Sequence, residues 1–369
     1  MRISRAVAAV AAAAGAAWVA SAARGVPSSL GASRAAVRPY AAASSHYHNG
    51  RFRNTAPASV VDPAEQASIG MAMLRRGDRG KPPRPVPLAT PLAPADAADL
   101  AATWFGHSSV IVEIDGRRVL TDPVWSRRVS PSRVVGPSRL HPVPVALEAL
   151  PPIDAILISH DHYDHLDRDT VATLVRTQQS PFLVPLGVGA HLRRWGVPED
   201  RIVELDWNDG SAVAGLRITC LEARHFSGRT FARDLTQWAS WSVVGPEHRA
   251  FFGGDTGYTE AFGDIGSRLG PFDLTLLPIG AYDVRWPDIH MNPEEAVRAH
   301  AALQGGRSDA GVLLPVHWGT FDLAFHSWAE PVERLLAAAD PVSTSVVVPM
   351  VGQRVDLIRP QPGRRWWTT

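Results

Sequence analysis

Four side chains able to ligate a metal fall within the six residues His160-Asp161-His162-Tyr163-Asp164-His165. Borderline ions such as Zn2+ are held by imidazole nitrogen and carboxylate oxygen, so this set has the right chemistry to hold one. The segment directly follows the apolar run Ile153-Asp154-Ala155-Ile156-Leu157-Ile158, which reads as a short buried strand. Alternation then places His160 and His162 on one side, while Asp164 and His165 lie beyond the turn, where they could serve a second ion. A solvated histidine-rich loop is the competing reading. It is disfavoured because the same arrangement recurs: His225 follows Leu216–Ala223, Asp255 follows Phe251-Phe252, and His317 follows Leu313-Leu314-Pro315-Val316.

The elements that must carry these residues alternate between strand and helix. Strands are expected at 103–105, 108–114, 118–121, 153–158, 218–223, 238–244, 250–253, 274–277 and 312–315, with Asp115-Gly116 as a hairpin turn. Helices are expected at 169–177, 293–303 and 328–338, the second opened by Asn292 as N-cap, Pro293 and two glutamates. Strands and helices mixed in this way predict an α/β architecture.

Composition narrows the alternatives. The 369-residue chain is 45% hydrophobic and 20% charged, an ordinary globular composition. Its formal net charge of +1 gives no general pull toward nucleic acid. Cys220 is the single cysteine, which excludes an internal disulfide or a cysteine-rich zinc cluster, and its place in an alternating strand makes it a core thiol. Lys81 is the single lysine and sits in a proline-rich run, which argues against Schiff-base catalysis.

Residues 1–22 read as a signal peptide or membrane anchor: Arg2 and Arg5 precede the Ala-rich run 6–20, and Ala20-Ser21-Ala22 follows. The chain is therefore expected to be exported or membrane-anchored, and cytoplasmic if this segment is no signal. Residues 23–95 read as a linker and irregular N-terminal extension, and 96–369 as the catalytic domain.

The motif at 160–165 resembles the His-x-His-x-Asp-His signature of the metallo-β-lactamase superfamily, and the resemblance runs from about Leu100 to Arg354. It implies an αββα sandwich of two mixed β-sheets flanked by helices, and two divalent metal ions, Zn2+ being expected. His160, His162 and His225 would hold one ion, Asp164, His165 and His317 the other, and Asp255 would bridge them.

Flanking words are similar to the N-acylphosphatidylethanolamine-hydrolysing phospholipase D family. They include Trp104-Phe105-Gly106-His107-Ser108, Leu120-Thr121-Asp122-Pro123, His225-Phe226-Ser227-Gly228-Arg229, Gly254-Asp255-Thr256-Gly257-Tyr258, His290-Met291-Asn292-Pro293 and Pro315-Val316-His317-Trp318-Gly319. Asn49-Gly50-Arg51-Phe52-Arg53-Asn54 resembles that family's N-terminal extension, whereas Thr55-Ala56-Pro57-Ala58 departs from it and 233–238 matches only approximately. The resemblance implies hydrolysis of N-acylphosphatidylethanolamine to an N-acylethanolamine and phosphatidic acid, with a lipid at a membrane surface as partner, no nucleic acid, and a homodimer left open.

Asp255 and His290 are the expected catalytic residues, Asp255 orienting the attacking oxygen and His290 positioning or protonating the leaving group. Tyr282, His290 and Trp318 are expected at the substrate. Asp122 and His107 are expected behind the ligands, because a metal-bound imidazole commonly donates its other N–H to a carboxylate. Trp125, Trp238, Trp241, Trp286 and Trp318 either line an acyl-chain channel or belong to the core, with the core reading favoured. Two other activities fit the ligand set: hydrolysis of a soluble phosphorylated lactone, and diiron redox or binding chemistry.

Overall fold

A computed structural model describes residues 2–59, 65–91, 94–230, 232–360 and 363–368. Two sheets dominate. One has seven strands, in the spatial order Arg354–Asp356, Leu100–Trp104, Val110–Ile114, Arg117–Thr121, Ala155–Leu157, Phe182–Pro185 and Ile202–Leu205. The other has six, in the order Val312–Val316, Leu274–Pro278, Arg249–Phe252, Ser240–Val244, Leu216–Leu221 and Gly210–Val213. Each sheet is mixed: antiparallel hairpins at one side give way to parallel pairs at the other.

Strand alternation sorts the core into layers. Val110, Val112, Val119, Ala155 and Leu157 fall in one buried cluster with Leu216, Ile218, Cys220 and Trp241 of the other sheet. Their neighbours Ile111, Leu120, Ile156 and Ile158 point the opposite way, against Val171 and Leu174 of helix Arg168–Thr177 and Val188 and Leu192 of helix Val188–Arg194. Phe251, Leu277 and Leu313 on the second sheet are likewise buried with Phe262, Ala296, Val297 and Leu335 from helices Ala261–Leu269, Pro293–Leu303 and Glu330–Ala339. The result is the expected αββα sandwich.

Helix Pro293–Leu303 begins as anticipated, with Asn292 accepting from the Glu295 amide and Glu295 reaching back to the Asn292 amide. Cys220 is fully buried and burial pushes its thiol well up, in keeping with a core residue.

The extension at 23–95 carries regular structure in part. Helix Arg34–Ala41, capped by Ser33, turns Val37 and Ala41 into the main core. The hairpin Tyr47–His48 with Arg51–Phe52 buries Phe52 beside them, and helix Gln66–Arg75 follows. Residues 2–23 form a helix, but no helix among the described residues is long and apolar enough to cross a membrane.

Candidate metal centre

The candidate ligands all stand just past the C-terminal ends of strands. His160, His162, Asp164 and His165 follow Ala155–Leu157, His225 follows Leu216–Leu221, Asp255 follows Arg249–Phe252, and His317 follows Val312–Val316. The backbone turns sharply at His317 and at two further strand ends beside the ligands: His317, His107 and Asp122 take positive φ of 60°, 52° and 34°. Side chains rarely adopt such values, and strain of this kind collects at functional sites. Gly254 also has positive φ, and a Cβ there would meet the Cβ of Ser159 at 2.5 Å and the Ala239 carbonyl at 2.8 Å. Only glycine lets the Asp255 loop approach the histidine loop this closely.

Three overlapping groups of potential ligands converge. His160, His162, His225 and Asp255 form one, Asp164, His165, His317 and His107 a second, and Asp255, His290 and His317 a third, the ligand atoms of each lying within 4.8 Å of one another. Asp255 stands between the first two. Its Oδ2 is 3.1 Å from the Nε2 of both His165 and His317, 3.7 Å from that of His225 and 3.9 Å from that of His160. Asp164 Oδ2 lies 3.5 Å from His165 Nε2 and 3.4 Å from His317 Nε2.

Each of three histidines has its outer nitrogen tied down. His165 Nδ1 contacts Asp122 Oδ2 at 2.6 Å, His225 Nδ1 contacts the Ile289 carbonyl at 2.8 Å, and His160 Nδ1 contacts Ser159 Oγ at 2.9 Å. Asp122 is itself held by the Ser159 amide and hydroxyl. In each case the remaining nitrogen faces the shared volume, the arrangement that fixes tautomer and ring orientation in metal sites.

The atoms facing that volume fit a cation. His165 Nε2, His317 Nε2 and Asp255 Oδ1 are buried without a hydrogen-bond partner. A buried polar atom left unpaired costs roughly 1–3 kcal/mol. Nitrogens His160 Nε2 and His162 Nδ1 approach to 2.8 Å. Divalent ions accepting these lone pairs would relieve both conditions, and an all-imidazole and carboxylate set suits Zn2+. Burial raises the Asp255 carboxyl, but the surrounding His165 and His317 outweigh it and hold it well below the usual carboxylate range. It is therefore an anion, as a bridging ligand must be.

His107 donates from Nε2 to Asp164 Oδ2 at 2.9 Å and packs its ring 4.0 Å from that of His317. Burial pushes its imidazole down to about 3, so it is neutral. His290 Nδ1 is 3.9 Å from Asp255 Oδ2 and lacks a hydrogen-bond partner. Burial takes it down to about 4, against the pull of Asp255, which makes it a neutral ring rather than an imidazolium at pH 7.

A cavity of about 390 Å³ opens onto His162, Asp164, Asp255, His290 and His317. Its walls are Ile69, Phe226, Ala281, Trp286, Ile289 and Leu323, with Arg233 the one arginine among the described lining residues. Tyr282 lines a neighbouring cavity that shares His290, where its hydroxyl donates to Glu330 Oε1 at 2.9 Å. Trp318 does not line this cavity. It is 2% exposed and stacks on Trp104 at 5.6 Å and against Trp366 at 5.4 Å, because the turned backbone at His317 directs the following side chain into the core. Trp238 and Trp241 are core as well, Trp125 lines a separate surface cavity, and Trp286 alone of the five lines the cavity beside the ligands.

Several supporting residues carry no signal of their own in the sequence. Asn54 brackets the backbone of His225, its Nδ2 donating to the carbonyl at 2.8 Å and its Oδ1 accepting from the amide at 3.1 Å. Asp161 points away from its neighbouring histidines, as alternation requires, and takes the Gly228 amide at 2.7 Å and His191 Nε2 at 3.3 Å. His191 in turn accepts from the Ala32 amide at 2.7 Å.

A sandwich of two mixed sheets with this ligand set at its strand ends defines a metallo-β-lactamase fold. The profile of the beta-lactamase superfamily domain matches residues 117–318, and the chain belongs to that superfamily. It is a metal-dependent hydrolase that resembles the N-acylphosphatidylethanolamine-hydrolysing enzymes. An uncharacterized protein of Mycobacterium tuberculosis is 59% identical over 353 residues, covering 95% of this chain and 94% of that one. The N-acyl-phosphatidylethanolamine-hydrolyzing phospholipase D 1 of Caenorhabditis elegans is 39% identical over 255 residues, covering 65% of this chain and 70% of its own. Among solved structures, the metallo hydrolase Igni18 from Ignicoccus hospitalis superposes with a TM-score of 0.54 at 23% identity, covering 69% of this chain and 97% of that one, a likeness of fold.

Proposed function

We propose that the protein is a binuclear phosphodiesterase of phospholipase D type, hydrolysing N-acylphosphatidylethanolamine to an N-acylethanolamine and phosphatidic acid. The observation that carries this reading is the cavity itself: aliphatic and aromatic walls meet a cluster of imidazoles and carboxylates at one end. An amphiphile with a polar reacting centre fits that division, whereas a soluble sugar phosphate would need polar walls. The likeness to the Caenorhabditis elegans phospholipase D supports the same class.

His160, His162 and His225 would hold one ion, Asp164, His165 and His317 the other, and Asp255 would touch both. Two bound divalent ions supply a nucleophile from water near neutral pH and neutralise charge on phosphoryl oxygens. The chain's own groups do the rest. Asp255, an anion between the two sets, orients the attacking oxygen. His290, neutral and at the cavity wall, offers a hydrogen bond to the leaving oxygen. The apolar walls take the acyl chains and exclude water. In the balance, water's oxygen ends on phosphorus and its proton on the departing alcohol.

The test is zinc-reconstituted protein assayed in parallel on N-acylphosphatidylethanolamine, a soluble phosphodiester and a phosphorylated lactone. Preference for the lipid is expected, and preference for the lactone overturns the reading. Iron with a redox signal in the native protein would point instead to the diiron alternative. We further propose that residues 1–22 direct export, which mass spectrometry of the native N-terminus checks.

A further inference from the structure

Arg233 sits in the cavity wall beside the candidate ligands and makes no ion pair or hydrogen bond among the described residues. Its guanidinium lies 4.4 Å from the Phe226 ring centroid. The same ring lies 4.5 Å from the ring of His162 and 4.7 Å from that of His225. One aromatic ring therefore contacts both the cation and two of the histidines, and the cation and His162 line the same cavity. Stacking on that ring fixes the guanidinium plane while leaving its N–H groups unused.

The neighbouring carboxylate attracts this charge without pairing with it directly. Asp234 follows Arg233 in a left-handed turn, with φ of 62°, and its Oδ1 faces the Ser227 amide at 3.4 Å. Burial raises the Asp234 carboxyl, and Arg233, Arg51 and Arg53 all act on it, so three arginines surround one acid. Arg51 and Arg53 come from the hairpin that the Asp234 carbonyl anchors through the Phe52 amide at 2.8 Å. A half-buried arginine in no direct ion pair, set among the apolar residues of a cavity wall, is placed to pair with an anion supplied by a ligand.

We infer that Arg233 is the anion anchor of this cavity, holding a negatively charged oxygen of the substrate beside the bond that is broken. This deepens the phosphodiester reading and rests on it. A diester keeps an anionic phosphoryl oxygen that a neutral carboxylic ester lacks, so Arg233 makes the site prefer the former. A charge-assisted contact of this kind is worth roughly 10- to 100-fold.

The experiment compares the zinc-reconstituted full chain with Arg233→Gln and Arg233→Lys. One readout is the ratio of kcat/KM for bis(p-nitrophenyl) phosphate to that for p-nitrophenyl acetate. The other is the dissociation constant for dimethyl phosphate by calorimetry, with bound zinc measured in each sample. Arg233→Gln should lower the ratio at least about tenfold and weaken dimethyl phosphate comparably, while Arg233→Lys keeps most of both. An unchanged ratio and an unchanged dissociation constant in Arg233→Gln overturn the inference, as does a lysine variant as impaired as the glutamine one at full zinc content. N-acylphosphatidylethanolamine run alongside separates the two claims. If it is a poor substrate and the ratio still collapses, the lipid reading fails and the anchor stands. If it is the best substrate and the ratio is unmoved, the reverse holds.

Discussion

Asp122 Oδ2 lies 2.6 Å from His165 Nδ1, and both side chains are fully buried. The carboxylate is fixed in turn by the Ser159 amide at 2.7 Å and hydroxyl at 2.5 Å, so the imidazole can rotate no further than this bracket allows. His165 thereby keeps Nε2 directed at Asp255.

Replacing Asp122 with asparagine should weaken metal binding roughly 10- to 100-fold without removing any ligand, since partners behind ligands typically matter by that much. Competition with a chelator measures it. Unchanged affinity would mean that the bracket is structural only.

The site was legible in the sequence to the extent that ligands are local and strand-bound. His160 to His165 announce themselves by density, and His225, Asp255 and His317 by following apolar runs, which the structure places at strand ends around one volume. Trp318 misled because proximity to His317 in sequence is no guide to direction after a backbone turn of positive φ. Strand Phe182–Pro185 and helix Val188–Arg194 escaped notice because Pro181, Pro185, Gly187 and Gly189 read as loop, although tertiary packing overrides those signals. Helix Ala261–Leu269 hid in the same way behind Gly263 and Gly266. The extension at 23–95 looked irregular because its core contacts are few and spaced, at Ala32, Val37, Ala41, Phe52 and Val86. Asn54 acts on His225 from 171 residues away, which no local pattern encodes.

Asn54 joins the extension to the site. Its amide serves both backbone groups of His225, and its Oδ1 also accepts from Trp238 Nε1 at 3.0 Å. Asn54→Ala should lower metal affinity and kcat together while the protein still unfolds cooperatively in urea. If only unfolding shifts and the metal-loaded enzyme keeps its kcat, the extension does not act on the centre.

Trp318 belongs to a buried tryptophan stack with Trp104, Trp328, Trp366 and Trp367. Trp318→Ala should therefore cost about 3–5 kcal/mol of stability by denaturant titration. Trp318→Phe, which preserves most of the packing, should leave KM near its original value. A raised KM in the phenylalanine variant would return Trp318 to the substrate site.

The central claim is that hydrolysis depends on two ions joined through Asp255, and titrating zinc into metal-free protein while following turnover tests it most directly. Activity should be absent without metal, should reach its plateau at two equivalents, and should not be recovered by Asp255→Ala, which should fail to bind the second equivalent at stoichiometric zinc. Full turnover in metal-free protein, a plateau at one equivalent, or an Asp255→Ala protein that binds two equivalents and works normally would contradict the account.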